Sequence, residues 1–200
     1  VPHIKNDSPN TKLRLVPHIE KASWSLTSAA FTNPMKVAKI HVLGLDSCFH
    51  PRQRDESLEL IRDDFVKQLC EHHVFTTGDY VQMQARKDHQ LEEELDDWFA
   101  LCAKDDCTLI LLKSKNYDKH AAIKRTSDFS GYHTICAVGE KFRKKELNPL
   151  ENGGRLQHFS NLALKVNMKM GGDNYWLEPR VLDSVLGNTR NRKSTMIMGS

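Results

Sequence analysis

The sequence predicts an α/β fold, a three-layer sandwich built around a mostly parallel four-stranded sheet. Three observations carry that expectation. Short runs of Val, Ile and Leu recur along the 200 residues and are apolar continuously, as strands covered on both faces are. Between them lie stretches whose apolar residues step by three and four, the helical period. Four strand–helix units in succession favour parallel strands joined by right-handed crossovers, which place helices on both faces of the sheet.

The first 33 residues hold Pro2, Pro9 and Pro17 among polar residues, with Trp24 and Phe31 as isolated anchors, and read as a linker or docking strap. Met35 to Leu45 reads as the first buried strand. A helix over 51–72 follows from Leu58, Ile61, Phe65 and Leu69, with Pro51 near its start, where a helix tolerates proline. His72 and His73 suit its end, since neighbours on a helix point in different directions. After a turn at Gly78, Tyr80, Val81 and Met83 suggest a short strand. Leu91, Leu95, Trp98, Phe99 and Cys102 then form the apolar stripe of a helix whose wet face is Glu92, Glu93, Glu94, Asp96 and Asp97. Thr108 to Leu112 is a buried strand, Asp118 to Thr126 a short helix, and Tyr132 to Val138 the last strand.

A basic stretch with Lys141, Arg143, Lys144 and Lys145 comes next, broken by Pro149 and Gly153-Gly154. From Arg155 the apolar positions Leu156, Phe159, Ala163, Val166 and Met170 predict a final helix, stopped by Gly171-Gly172. Residues 173–200, with Trp176, Pro179 and the apolar segment from Thr195 to Met198, look like the opening strand of another domain.

Composition removes several function classes. Apolar residues at 39% and charged residues at 28% are those of an ordinary globular protein, not a disordered or collagen-like one. No apolar run approaches the roughly 18 residues of a membrane span, and no signal-peptide pattern opens the sequence, so the expectation is a soluble, cytoplasmic protein without a membrane partner. Five cysteines, an odd number with no C-x-x-C spacing, argue against a disulfide framework or zinc ribbon. Cys102 and Cys107 have the spacing of half a metal site, but no second Cys/His pair follows. Neither G-x-G-x-x-G nor G-x-x-x-x-G-K-[ST] occurs, which disfavours dinucleotide binding and P-loop chemistry.

Charge is uneven. Residues 1–100 hold 12 Lys and Arg against 16 Asp and Glu, a net −4, while residues 101–200 hold 17 against 10, a net +7. The imbalance points the second half toward an anionic partner. On the last predicted helix Gln157, Asn161, Lys165 and Lys169 form one i, i+4 row, which stacks two ammonium groups with nothing acidic within the helix to offset them. His120 and Lys124 stand at i, i+4 on the preceding short helix, beside Arg125. The amino end of that helix follows a strand's carboxyl end, where backbone N–H groups favour an anion. These residue types suit a phosphate; a pair of merely solvated lysines fits the periodicity equally well.

The two lysine sites gain meaning together because the sequence resembles the MID domain of eukaryotic Argonaute proteins, of the fungal, quelling type. The most specific stretch is HFSNLALKVNMKMGGDNYW, residues 158–176. HAAIKR at 120–125 and HTICAV at 133–138 follow the family's order and spacing, and TMIMGS at 195–200 is similar to the first strand of the PIWI domain. The resemblance divides the chain into a linker (1–33), a MID domain (34–172) and the start of a PIWI domain (173–200). It implies a Rossmann-like domain that anchors the 5′-phosphate and first nucleotide of a small guide RNA in RNA silencing, with the remaining Argonaute domains, PIWI above all, as further partners. On this basis Lys124, Lys165 and Lys169 match phosphate-binding lysines, Thr134 to Cys136 a strand that adds phosphate contacts, and His120 the position on which the first base stacks. Lys113, Ser114, Lys115, Asn116, Tyr117 and Asp118 correspond to the nucleotide-specificity loop.

Two departures stand out. The family has Tyr where this chain has His120, a smaller ring for stacking, and a polar Gln where it has Ile135, which cannot hydrogen-bond a phosphate. Lys169 makes a cation at the phosphate unnecessary, so no cofactor and no obligatory metal is expected. The chain is expected to bind rather than cut, since the family's slicer carboxylates lie in PIWI beyond residue 200. The alternative is an α/β enzyme or binding domain for a small phosphorylated metabolite.

Overall fold

Residues 30–45, 48–83, 88–113, 117–142 and 152–174 are described by the computed structural model. They form strands β1 (Lys39–Leu45), β2 (Thr77–Met83), β3 (Cys107–Leu112) and β4 (His133–Val138) and helices α1 (Arg54–Glu71), α2 (Asp88–Ala100), α3 (Tyr117–Ser130) and α4 (Asn152–Lys169). The strands make one sheet in the order β2-β1-β3-β4, with every pairing parallel. The predicted α/β sandwich is therefore the fold. Most of the predicted linker, nearly all of the predicted PIWI start, residues 143–150 and the loop positions Ser114, Lys115 and Asn116 lie outside the described residues.

Each face of the sheet has its own core. On one, Ile40 and Val42 of β1, Cys107, Leu109 and Leu111 of β3 and Ile135 of β4 pack against Leu58, Ile61 and Phe65 of α1 and Phe159, Leu162 and Val166 of α4. On the other, Leu43, Leu45 and Ile110 pack against Leu91, Leu95 and Phe99 of α2 and Ala122 and Ile123 of α3. Successive strand residues feed opposite cores, which is why the strands read as unbroken apolar runs. Complete burial of a side chain such as Leu43 or Phe65 contributes about 1.5–3 kcal/mol.

The structure corrects several boundaries. The first strand begins at Lys39 rather than Met35, because the preceding backbone has other partners. The Met35 amide donates to the Asn167 side chain at 2.8 Å and the Ala38 amide to the Asp105 carbonyl at 3.0 Å. Gly78 is not a turn. It lies within β2 opposite Ile40, where a Cβ would fall 2.8 Å from a Val66 methyl, so the missing side chain lets α1 press onto the strand. Helix α3 runs on to Ser130, well past Thr126, and α4 starts at Asn152, so Gly153 and Gly154 sit in its first turn instead of before it.

Helix ends follow local rules. Gly171, with φ +88°, closes α4: its amide donates to Met168 and the Gly172 amide to Asn167, the paired bonds of a left-handed C-cap. Helix α1 ends in the same way on a residue with a side chain, His73 at φ 69°. Its neighbour His72 turns inward, fully buried, stacks on Phe31 with ring centroids 4.6 Å apart and lies 3.1 Å from the Ser160 hydroxyl. Among the described residues no helix is long and apolar enough to cross a membrane.

Candidate functional site

The lysines singled out in the sequence come from opposite layers and meet at one strand. Helix α3 covers one face of the sheet and α4 the other, and β4 is the edge strand between them. Lys124 reaches from α3 to the amino half of β4, where its Nζ donates to the Thr134 carbonyl at 2.6 Å and to the Thr134 hydroxyl at 3.0 Å. From α4, Lys169 comes up against Lys124. Burial, followed among the unfavourable influences by the neighbouring Lys169, lowers the Lys124 pKa from the ordinary lysine value, while Cys136 and Asp128 oppose the shift.

Cys136 marks the centre of this charge. Burial raises its thiol pKa, and Lys124, Lys169 and Lys165 all pull the other way. At the first residues of the two strands the same lysines are felt again. His133 is lowered by burial and by Lys169, and the fully buried Cys107 is pushed up to about 12 by burial against the pull of Lys169 and Lys124. Among the described residues no carboxylate forms an ion pair with Lys124, Lys165 or Lys169. The cluster thus gathers positive charge that the fold does not neutralise, one ammonium half-buried and two exposed. Such an arrangement suits a small, doubly charged anion with several acceptor oxygens.

This placement changes the expected geometry. Sequence reasoning set the anion at the amino end of α3, beyond the strands' carboxyl ends. Lys124 is instead well inside α3 and bonds the second residue of β4, so the charge gathers along the outer edge of that strand. Thr134 is completely buried, and its hydroxyl donates to Ser127 at 3.0 Å while Ser127 donates to the Lys124 carbonyl at 3.1 Å. With the Lys124 bond to Thr134 this closes a ring that fixes the ammonium. Thr134 acts here on Lys124, and Ser127 is a participant the sequence reading missed; its signal was its place three residues after Lys124, on the same helix face.

The other predicted positions are spread around this centre. His120 is half-buried one helical turn before Lys124. Ile135 points away into the α1/α4 core, 3% exposed, so it presents no group to the cluster. Tyr117 and Asp118 belong to the first turn of α3 rather than to a loop, and Lys113 follows β3 directly. The i, i+4 row on α4 is present: Gln157 donates to Asn161 at 3.1 Å, with Lys165 and Lys169 continuing it. Among the described residues no group of three His, Cys, Asp or Glu side chains is set to hold a metal beside the lysines.

Asn167, between the two α4 lysines, was also missed. Completely buried, it accepts from the Met35 amide at 2.8 Å and donates to the Asn174 side chain at 2.9 Å. Asn33 and Asp173 pair beside it as an antiparallel bridge. One side chain thereby ties the segment before β1 and the segment after α4 to the turn that carries Lys169.

Comparison with known proteins agrees with the fold. Residues 107–200 match the Piwi domain family. The Neurospora crassa QDE-2 Argonaute MID–PIWI structure is 24% identical with a TM-score of 0.59, over 74% of this chain and 38% of that one. The MID domain of the same protein is 22% identical with a TM-score of 0.52, over 68% of this chain and 99% of that one. The Argonaute of Kluyveromyces polysporus, solved with a guide RNA, is 18% identical with a TM-score of 0.62, over 89% of this chain and 20% of that one. The chain therefore spans well under half of the MID–PIWI structure and nearly all of a MID domain. No curated protein matches it.

Proposed function

We propose that this chain, a MID–PIWI segment of the Argonaute class with the Rossmann-like MID fold, anchors the phosphorylated 5′ end of a small guide RNA. The observation that supports this best is the convergence of Lys124 from α3 with Lys165 and Lys169 from α4 beside β4, with no acidic ion-pair partner among the described residues. A terminal phosphate is a dianion with three free oxygens, whereas an internal diester carries one charge, so a compact ammonium cluster selects the end of a strand. In this reading His120, a turn away on α3, stacks on the first base, and the segment from Lys113 to Asp118 reads that base's edge. The segment binds and does not cut; the remainder of PIWI completes the protein around the guide.

Titration with a 5′-phosphorylated RNA oligonucleotide, its 5′-hydroxyl counterpart and a set of sugar phosphates tests the assignment. Tight binding of the first alone supports it. Equal binding of the two oligonucleotides would leave a general RNA-binding surface, and preference for a sugar phosphate would favour a metabolite-binding domain.

A further inference from the structure

A second cluster of chemistry-bearing side chains lies on the α2 face, toward the β2 edge and across the sheet from β4. His41 of β1 is 6% exposed, with Nδ1 2.5 Å from the Asp79 carboxylate and Nε2 3.0 Å from Oδ2 of Asp106. That Asp106 oxygen also accepts the Ala103 amide at 2.9 Å. The Cys102 thiol, just past α2, donates to the Trp98 carbonyl at 3.4 Å, and the ligand atoms of His41, Cys102 and Asp106 all lie within 4.8 Å of one another.

We propose that His41, Cys102 and Asp106 bind a divalent ion of the zinc class, with water in the fourth position. Three features support this. One imidazole nitrogen, one sulfur and one carboxylate oxygen form a borderline-soft donor set that suits Zn²⁺ and discriminates against Mg²⁺ and Ca²⁺. Asp79 occupies Nδ1 and leaves Nε2 to face the other donors, the carboxylate–imidazole–metal arrangement that orients a histidine ligand. Two ligands are also already fixed: His41 by the centre of the sheet and Asp106 by the turn entering β3.

Tetrahedral zinc with ligands at about 2.0–2.3 Å needs donor atoms roughly 3.3–3.8 Å apart. The Nε2 to Oδ2 pair, at 3.0 Å, has only to open by a few tenths of an ångström, and Cys102, which is partly exposed, would close the remainder by rotating its side chain. Binding displaces the protons of Nε2 and Sγ to solvent and leaves neutral imidazole, thiolate and carboxylate on the metal. Without metal, burial opposes the charge on His41, but Cys102, Asp106 and Asp79 together outweigh it and push its pKa up to about 9. An ion bound here would pin the turn after α2 to β1 and β3. Cysteine spacing alone pointed to Cys107 as the partner of Cys102; the fold supplies His41, 61 residues earlier in the chain, instead.

The test uses the full chain, stripped of metal and titrated with Zn²⁺ against a chromophoric chelator and with Co²⁺ by absorption. The expected result is one ion per chain, tetrahedral d–d bands and a sulfur-to-cobalt charge-transfer band. Cys102→Ser should abolish that band and weaken Zn²⁺ at least tenfold, while Asp79→Asn weakens it about tenfold by freeing the ring. Cys70→Ser, on α1, should leave both readouts unchanged. Circular dichroism of metal-free Cys102→Ser should match the parent, so that loss of metal is not loss of fold. Absence of stoichiometric Zn²⁺ binding, or a charge-transfer band that survives Cys102→Ser, would overturn the proposal and leave a buried imidazolium between two carboxylates.

Discussion

The Lys124 ammonium spends two of its three N–H groups on one residue, the carbonyl and hydroxyl of Thr134, at 2.6 and 3.0 Å. Among the described residues none takes the third. Held in this way, the side chain would lose little further rotamer freedom when an anion arrives, and burial, followed by the neighbouring Lys169, disfavours its charge.

It follows that removing the 5′-phosphate should abolish most binding, and that Lys124→Ala, Lys165→Ala and Lys169→Ala should each weaken it by about 1–3 kcal/mol. Their effects should be non-additive, because the three share one phosphate. Thr134→Val keeps the carbonyl and the shape but loses the hydroxyl, so its cost should be smaller, about 1 kcal/mol. Calorimetry with a nucleoside monophosphate reads all four variants; additive lysine effects would mean that they serve separate ligand groups.

Because ammonium groups supply the positive charge, affinity should fall as salt is raised. Mg²⁺ at millimolar concentration should bring no gain. A monophosphate that binds several-fold tighter with Mg²⁺ at constant ionic strength would place a cation in the cluster and demote Lys169.

Much of the sheet was legible because continuous apolar runs and helical steps are local signals, and both survived into β1, β3, β4 and α1. Local pattern failed where long-range partners decided the outcome. Gly78 resembled a turn residue, yet the close approach of Val66 and Arg62 explains it. The lysines were found as rows on two helices, but their meeting at the β4 edge depends on α3 and α4 covering opposite faces. The Lys124–Thr134 bond and the Asn167 clamp join residues through tertiary contacts that no spacing encodes, whereas Ser127 had a local signal in its place three residues after Lys124.

The pH profile of monophosphate binding should be bell-shaped. Affinity rises through about pH 6 as the phosphate takes its second charge. It falls again when Lys124 deprotonates, and since burial and Lys169 lower that pKa, the fall should begin below the ordinary lysine range of about 10.4. A bound dianion favours the protonated amine, so binding takes up a proton along this limb. Lys169→Ala removes the repulsion and should move the alkaline limb upward; an unmoved limb would show that the two ammoniums do not interact.

Asn167→Ala should destabilise the fold by about 1–3 kcal/mol, since it strands the part-buried Met35 amide and the buried Asn174 side chain without their partner. It should also loosen the turn that holds Lys169. Urea unfolding measures the first effect, and monophosphate affinity under native conditions the second. A variant of unchanged stability would mean that water replaces the amide fully.

The proposed function makes base choice rest on the ring of His120 and on the segment from Lys113 to Asp118. A base stacked on His120 would present its edge to the chain that connects β3 to α3, where backbone donors and acceptors distinguish one base from another. Tyr117 and Asp118 are already in the first turn of α3, so their amides, among the first of a helix, lack intrahelical acceptors. The resemblance to Argonaute MID domains implies a modest preference for uracil or adenine at the 5′ end. The four nucleoside 5′-monophosphates test this directly, since they share the phosphate and differ only in the base. Equal affinities would remove the segment from base reading. His120→Ala should weaken all four by about 1–3 kcal/mol, the usual worth of a base stacked on an aromatic ring. His120→Tyr should restore or exceed the original affinity; if His120→Ala changes nothing, the base does not stack there and the phosphate alone anchors the guide.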